Sequence, residues 1–321
     1  MSVRTRYDEQ IASQPEAVEA VLRAPAPAPL ELARPIVLSG LGSSLHAARV
    51  AAAWIKGLGG RAVAAEAHEL ALRGRFGAGD QVVAVSHRGI VGFAGAVLTR
   101  AAAAGARTFA VVGLDAPAPP DAVVVRTCKT ETAGTHSVSY VTALAGLGSL
   151  IGLDLSGAPA LLRAALAMPA PFEAARLLAG KDPCLLAGFG LDAIAAAEAA
   201  LKLKEAAFVW AEGTSVELAL HGPLAALRPG MGAVTITPAG DDARRTQRLR
   251  EALRIVGVSA VTCGTLDEDL PFPPCGDLLR PLISAVPLQR LAAELARLTG
   301  GDPDRTRSDV EPWKTALTKA Q

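Results

Sequence analysis

The 321-residue chain is short of cysteine, of aromatics and of any excess of one charge, and each shortage removes a class of protein. Its four cysteines, Cys128, Cys184, Cys263 and Cys275, include no pair closer than 12 positions. Without a CxxC, neither a disulfide framework nor a four-thiolate zinc site fits, whereas free thiols in a reducing cytoplasm do. Aromatic residues make up 4% of the chain, too few for a base-stacking platform. Lys plus Arg number 32 and Asp plus Glu 31, a net +1 that gives nucleic acid or an anionic membrane no hold. The longest apolar run, Val141 to Leu153, is 13 residues. A bilayer span needs roughly 18 or more, so this run reads as a core helix. The opening MSVRTRYDEQ lacks an apolar stretch, and no signal peptide is expected.

What the chain has in quantity is hydrophobic residues, 50% of the total, enough for the cores of two domains. A helical segment over Tyr7 to Arg23 leads into an Ala-Pro connector at residues 24 to 29. Short apolar strands then alternate with helices. Pro35 to Ser39, Gln81 to Val85 and Thr108 to Val112 read as strands, with helices over Leu45 to Leu58 and from Gly89 to Ala104. That alternation implies a parallel sheet covered on both faces. The order recurs. Cys184 to Gly190 repeats the strand and turn ending at Gly42, Ala233 to Thr237 repeats Val82 to Ser86, and Ser259 to Cys263 repeats Thr108 to Val112. The offsets are 148 to 151 positions, so a duplicated α/β domain of about 150 residues is expected. The expected division is residues 1–29 as N-terminal helix and connector, 30–168 as the first domain, and 169–321 as the second domain with a C-terminal tail.

Open parallel sheets bind ligands beyond the carboxyl ends of their strands, where helix N-termini offer free N–H groups. Three first-half loops fall there: Gly40-Leu-Gly-Ser-Ser44, Ser86-His-Arg-Gly89 and Glu131-Thr-Ala-Gly-Thr-His-Ser137. Taken singly, each is ordinary turn and capping chemistry. The Gly-x-Gly pair is no dinucleotide fingerprint, because Leu45 stands where the third glycine belongs. The second half has a denser pattern. Glu198, Lys202 and Glu205 share one helix face, in a segment crowded by Leu201, Leu203, Ala206 and Ala207, and His221 precedes a Gly-Pro turn. On its own the charged stripe is a solvated row of salt bridges; with the histidine it is also a base and an acid beside a carbonyl. A zinc site from His87, His136 and His221 lacks any metal-ligand spacing. His46 reads as a packing or capping residue.

Together these residues resemble the sugar isomerase (SIS) superfamily, specifically the isomerase domain of glutamine:fructose-6-phosphate aminotransferase. The resemblance runs from Glu9-Gln-Ile-Ala-Ser-Gln-Pro15 through the turn ending at Ser44. Its most specific part is Glu198-x-x-Leu-Lys-Leu-Lys-Glu205 with His221-Gly-Pro-Leu sixteen positions on, and it closes with Val286-Pro-Leu-Gln289 and Gly301-Asp-Pro-Asp304. It implies two tandem three-layer αβα domains, each with a five-stranded parallel sheet, in a homodimer. It implies a small phosphosugar as ligand, with no cofactor, nucleic acid or membrane. By resemblance, Glu205 moves a proton between C1 and C2 of the open-chain sugar, and His221, reaching in from the neighbouring subunit, assists ring opening. Ser43 and Ser44 match the first phosphate loop, Ser86, His87, Arg88 and Gly89 the second, and Gly134, Thr135 and His136 the loop that touches the sugar.

The chain departs from the pattern in three places. Ile90-Val91 follows the second phosphate loop where the family has Glu-Thr, and Arg88 replaces a serine, an arginine that can fork to a phosphate. The tail lysine that forms a Schiff base in the family has no counterpart in register, since Lys314 comes three positions late. Residue 2 is Ser2, and nothing resembles a glutaminase, so amide transfer from glutamine is not expected. The expectation is therefore a phosphosugar isomerase or amino-sugar-phosphate deaminase, with a non-catalytic sugar-phosphate sensor as the alternative.

Overall fold

The structure, a computed structural model, describes residues 4–24, 28–265 and 267–320. The middle of the Ala-Pro connector, residues 25–27, lies outside them. Two helices open the chain, α1 (Arg6–Ala12) and α2 (Gln14–Arg23), where the sequence suggests one. The break falls at Ser13, just before Pro15, which has no N–H to continue the ladder and sits instead in the first turn of α2.

Two five-stranded sheets follow, parallel throughout. The first comprises β1 (Ile36–Gly40), β2 (Ala62–Glu66), β3 (Gln81–Ser86), β4 (Arg107–Val112) and β5 (Val123–Arg126), in the order β2-β1-β3-β4-β5. The second comprises β6 (Cys184–Gly188), β7 (Ala211–Ser215), β8 (Gly232–Ile236), β9 (Ser259–Thr265) and β10 (Leu270–Phe272), in the matching order β7-β6-β8-β9-β10. Val82 to Val85 and all of β6 and β8 are buried, as strands covered on both faces must be.

The helices α3 (Ser43–Gly57), α4 (Ala67–Arg73), α5 (Gly92–Ala103) and α6 (Val138–Ile151) flank the first sheet. Two short helices, α7 (Ala158–Ala167) and α8 (Phe172–Leu178), lead to the second. There α9 (Leu191–Lys202), α10 (Val216–Leu220), α11 (Arg245–Val256), α12 (Arg280–Ile283) and α13 (Ala285–Thr299) pack, and α14 (Trp313–Ala320) closes the tail. The apolar run over α6 is buried on nearly every face, which is why it has no polar stripe. One buried cluster runs through both domains, joining Phe109, Leu144 and Leu147 to Leu186, Val234 and Leu291. Burying one such leucine is worth ~1.5–3 kcal/mol, so the two domains share a core.

Candidate active site

Both β1 and β6 end in a turn that only glycine can make. A Cβ on Gly40 would lie 2.5 Å from the Ser44 backbone, and Gly42 has φ +54°. Gly188 and Gly190 repeat this, with a Cβ contact of 2.4 Å to Asp192 and φ +60°. In each turn the next helix starts almost on top of the strand end, and its first turn is tightened by bonds such as Ser44 N–H to the Leu41 carbonyl (3.1 Å) and Asp192 N–H to the Phe189 carbonyl (3.1 Å). The two turns differ in what stands there. In the first, Ser43 and Ser44 open α3, and no side chain caps the helix. In the second, the position of Ser44 is taken by Asp192, whose buried carboxylate is bound by both Nε (3.1 Å) and Nη2 (2.7 Å) of Arg280. A cavity of about 240 Å³ lies over the second turn too, but there a carboxylate stands where the first turn has a hydroxyl.

A cavity of about 210 Å³ lies over that first turn. The first domain lines it with Ser43, Ser44, His87, Arg88, Gly134 and His136, and the second domain adds Lys202 and Glu205. The Lys202 side chain is 1% exposed. Its Nζ lies 2.7 Å from Glu205 Oε2 and 3.5 Å from Glu198 Oε1. Glu198, equally buried, also accepts from Ser43 Oγ at 2.8 Å and from His46 Nδ1 at 2.6 Å. Burial works against the Lys202 charge, but Glu205 and Glu198 outweigh it and hold the ammonium above its ordinary pKa. Burial likewise works against the Glu198 carboxylate, but Lys202, His46 and Ser43 hold it below the usual range. The α-helix ends at Lys202, and residues Leu203–Ala207 continue as a wider π-helical turn. Glu205 leaves from that turn with its side chain 33% exposed, so it pairs with Lys202 while one side stays open to the cavity.

The opposite wall is set by Glu131. Its carboxylate caps α6, accepting from the N–H groups of Ser137 (2.8 Å), Val138 (3.2 Å) and Ser139 (2.8 Å). This helix N-terminus is therefore already satisfied. The Glu131 N–H donates to His87 Nε2 at 3.0 Å, which places the His87 proton on Nδ1. The rings of His87 and His136 meet edge to face, centroids 5.3 Å apart at 81°. Burial lowers the pKa of both imidazoles, Glu131 opposes, and Arg88 adds to the lowering. Arg88 itself is exposed at the cavity mouth, with no ion-pair partner among the described residues.

Comparison with known proteins places this fold. No family model matches the chain. Curated glutamine–fructose-6-phosphate aminotransferases do: that of Thermococcus kodakarensis is 35% identical over 143 residues, 42% of this chain and 24% of that protein. That of Symbiobacterium thermophilum is 30% identical over 257 residues, 70% of this chain and 42% of that protein. The chain thus spans well under half the length of these relatives. Among solved structures, the C-terminal domain of glucosamine-fructose-6-phosphate aminotransferase from Francisella tularensis superposes with a TM-score of 0.83 at 21% identity, over 94% of this chain and 98% of that one. The tagatose-6-phosphate ketose/aldose isomerase of Escherichia coli gives 0.78 at 17%, covering 94% and 95%. The glucosamine-6-phosphate deaminase of Thermotoga maritima gives 0.74 at 17%, covering 94% and 97%. The chain has the tandem SIS fold.

Within this SIS pair, the residues singled out from sequence do not all meet. Ser43, Ser44, His87, Arg88, Gly134, His136 and Glu205 line the one cavity. Ser86, Gly89 and Thr135 support its walls rather than line it. Ser86 ends β3. Gly89, at φ +109°, lets the loop pass Pro117, where a Cβ would come within 2.6 Å. Thr135 is buried, and its N–H donates to the Pro303 carbonyl at 2.8 Å. His221 follows α10 on the surface, 69% exposed, its Nε2 2.8 Å from Glu217, and it does not line the cavity of its own chain. Lys314 is exposed on α14 and lines no part of the cavity. Among the described residues, no three His, Cys, Asp or Glu side chains converge as a metal site.

Lys202 is the site residue that the sequence reading leaves in the charged stripe. Far from solvated, Glu198 and Lys202 are sealed between the domains while Glu205 opens to the cavity, and the signal for this was the apolar crowding around the stripe. The C-terminal tail packs behind the Gly134 loop and beside the Glu205 turn. The Gly134 N–H donates to the Asp304 carbonyl at 2.9 Å, and a Cβ at Gly134 would meet Thr306 at 2.9 Å. Arg307 stacks between Phe208 (4.0 Å) and Trp313 (4.1 Å), pinning the tail beside the π-helical turn that carries Glu205.

Proposed function

We propose that the chain is a sugar-phosphate isomerase or amino-sugar-phosphate deaminase that moves a proton between C1 and C2 of an open-chain substrate through an enediol-type intermediate. The observation that carries this reading is Glu205, a carboxylate held 2.7 Å from a buried ammonium yet open to a cavity with an uncapped helix N-terminus. Glu205 is the base. Lys202, kept charged by two carboxylates, stabilises the negative charge that grows on the sugar oxygens as the C–H proton leaves. The Ser43 N–H at the start of α3, the Ser44 hydroxyl and Arg88 hold the phosphate. The names of the solved neighbours, a ketose/aldose isomerase and a glucosamine-6-phosphate deaminase, support this substrate class.

We further propose a homodimer. What supports it is the resemblance, together with the large apolar side chains that the second domain exposes, Trp210 at 70% and Leu218 at 62%. No helix among the described residues is long and apolar enough to cross a membrane.

The test is a thermal-shift screen with fructose 6-phosphate, tagatose 6-phosphate, glucosamine 6-phosphate, the free sugars and inorganic phosphate, followed by turnover assays on each binder. The proposal expects stabilisation by phosphosugars over free sugars, and turnover of at least one. Binding without turnover of any would point to a sensor instead.

A further inference from the structure

We propose that the cavity takes up a proton together with the phosphosugar, and that His136 receives it and donates to the phosphate as an imidazolium. The inference rests on the sugar-phosphate reading above and deepens it; ring opening stays with His221, as the resemblance implies. Donors beside the Ser86–Gly89 loop are few. Ile90 and Val91, which follow it, bring no side-chain donor, and Arg88 stands at the mouth. Two imidazoles line the same cavity, His87 and His136, with ring centroids 5.3 Å apart. His87 is committed to the fold, because its Nε2 accepts from the Glu131 N–H at 3.0 Å. A proton on that nitrogen would set one donor against another. His136 has no such bond to lose. Neither of its ring nitrogens hydrogen-bonds a described residue, and neither is an orphan sealed from the cavity. Its ring is held by the edge contact with His87, and its loop by the N–H bonds of Gly134 and Thr135 to the tail. It can gain a proton without breaking a contact that the fold uses.

The groups that face His136 keep it neutral until an anion arrives. Burial disfavours the imidazolium, Glu131 before α6 opposes that effect, and Lys202 on α9 with His87 and Arg88 after β3 add to it. Glu205 also faces the cavity, its carboxylate paired to Lys202, and Tyr140 on α6 lines it as a phenol that burial keeps protonated. A phosphate monoester has its second pKa near about 6, so above pH 7 it enters as a dianion. An opposite charge within ~4–6 Å favours the charged form of a titrating group by about 1–3 pH units, so the proton follows the phosphate. The bound value of His136 then lies above its free value. Affinity therefore falls as pH rises from the free value to the bound one and levels off above it.

The experiment titrates fructose 6-phosphate and tagatose 6-phosphate into the protein by calorimetry at about pH 7.5, where the ligand is already a dianion. Repeating it in buffers of different ionisation heat counts the protons taken up. The wild type should gain close to one proton for each sugar phosphate bound, and the ¹⁵N resonances of the His136 ring should move to imidazolium values. His136→Ala should gain close to none and bind about tenfold or more weakly, the gap narrowing as pH rises. His136→Gln, a second variant should the first fail to fold, keeps a donor with no proton to gain, so it should recover part of the affinity and none of the uptake. Uptake that survives in either folded variant would put the proton on another group, His221 included, and overturn the inference. Binding by the wild type without proton uptake overturns it alone and leaves the isomerase reading to the turnover assays. A wild type that binds neither sugar phosphate contradicts that reading and this inference together.

Discussion

The ammonium of Lys202 is almost fully buried between the carboxylates of Glu198 and Glu205, so the charge on each group is held by the others. Removing one partner of such a buried network leaves the rest uncompensated, at a cost of about 3–5 kcal/mol. Lys202→Met should therefore lower the urea-unfolding free energy by that order, as well as abolish turnover. The network also sets a pH window. The folded pKa of Glu198 is depressed, so its stabilisation is complete above the unfolded carboxyl value of about 4.3 and is lost as pH falls through the lower folded value. The folded pKa of Lys202 is raised, so its contribution is complete below about 10.4 and is lost as pH rises through the higher folded value. Urea unfolding of wild type and Glu198→Gln across pH should show the largest gap between these limits, closing at the acid end. Arg88, exposed at the cavity mouth, is proposed to act on the ligand instead. A charge-assisted hydrogen bond contributes ~1.5–3 kcal/mol, so Arg88→Ala should weaken phosphosugar binding about tenfold or more, read by calorimetry. Unchanged affinity would mean that Arg88 faces solvent in the complex.

At the scale of the element, the strand-to-helix turn of β1 and α3 forms the end of the cavity proposed to take the phosphate. Gly40→Ala puts a methyl group against the Ser44 backbone, which cannot give way as a flexible side chain would. The expected loss is about 1–3 kcal/mol of stability together with weaker phosphosugar binding. Gly57→Ala, at the far end of the same helix with nothing within 4 Å, should gain about 0.4–1 kcal/mol and leave binding unchanged. Thermal melts of the two variants separate the local clash from a general effect of filling glycines. This turn was legible in the sequence as Gly-x-Gly beyond an apolar run, and so were the central strands β1, β3, β4, β6, β8 and β9. The edge strands β2, β5, β7 and β10 were not. β7 reads Ala-Glu-Gly-Thr-Ser, with no β-branched run, and β10 is three residues long with a proline at its centre. Such strands form because a neighbour offers a ladder, a tertiary cause that no local pattern carries. The π-helical turn was hidden as well: the i, i+4, i+7 spacing of Glu198, Lys202 and Glu205 is that of a plain α-helix, and the change of winding at Leu203 falls where the chain packs against α13.

For the molecule as a whole, the site exists because two domains close on each other. The first supplies the Ser43–Ser44 turn and the two imidazoles of the cavity, and the second supplies Glu205 and the Lys202 ammonium. The second sheet repeats the strand order of the first, yet at its equivalent turn the Asp192 carboxylate, bound by Arg280, replaces the Ser44 hydroxyl. Sedimentation should show the proposed dimer, and a monomer at assay concentration would contradict it. The central claim is that Glu205 moves the C–H proton, and the most direct measurement is solvent deuterium incorporation into a bound phosphosugar followed by NMR. The wild type in D₂O should place deuterium at C1 or C2 of fructose 6-phosphate or glucosamine 6-phosphate, and Glu205→Gln, still binding, should slow this by about 10²–10⁴-fold. Undiminished incorporation in a folded Glu205→Gln, or none in a wild type that binds the sugar, would contradict the account.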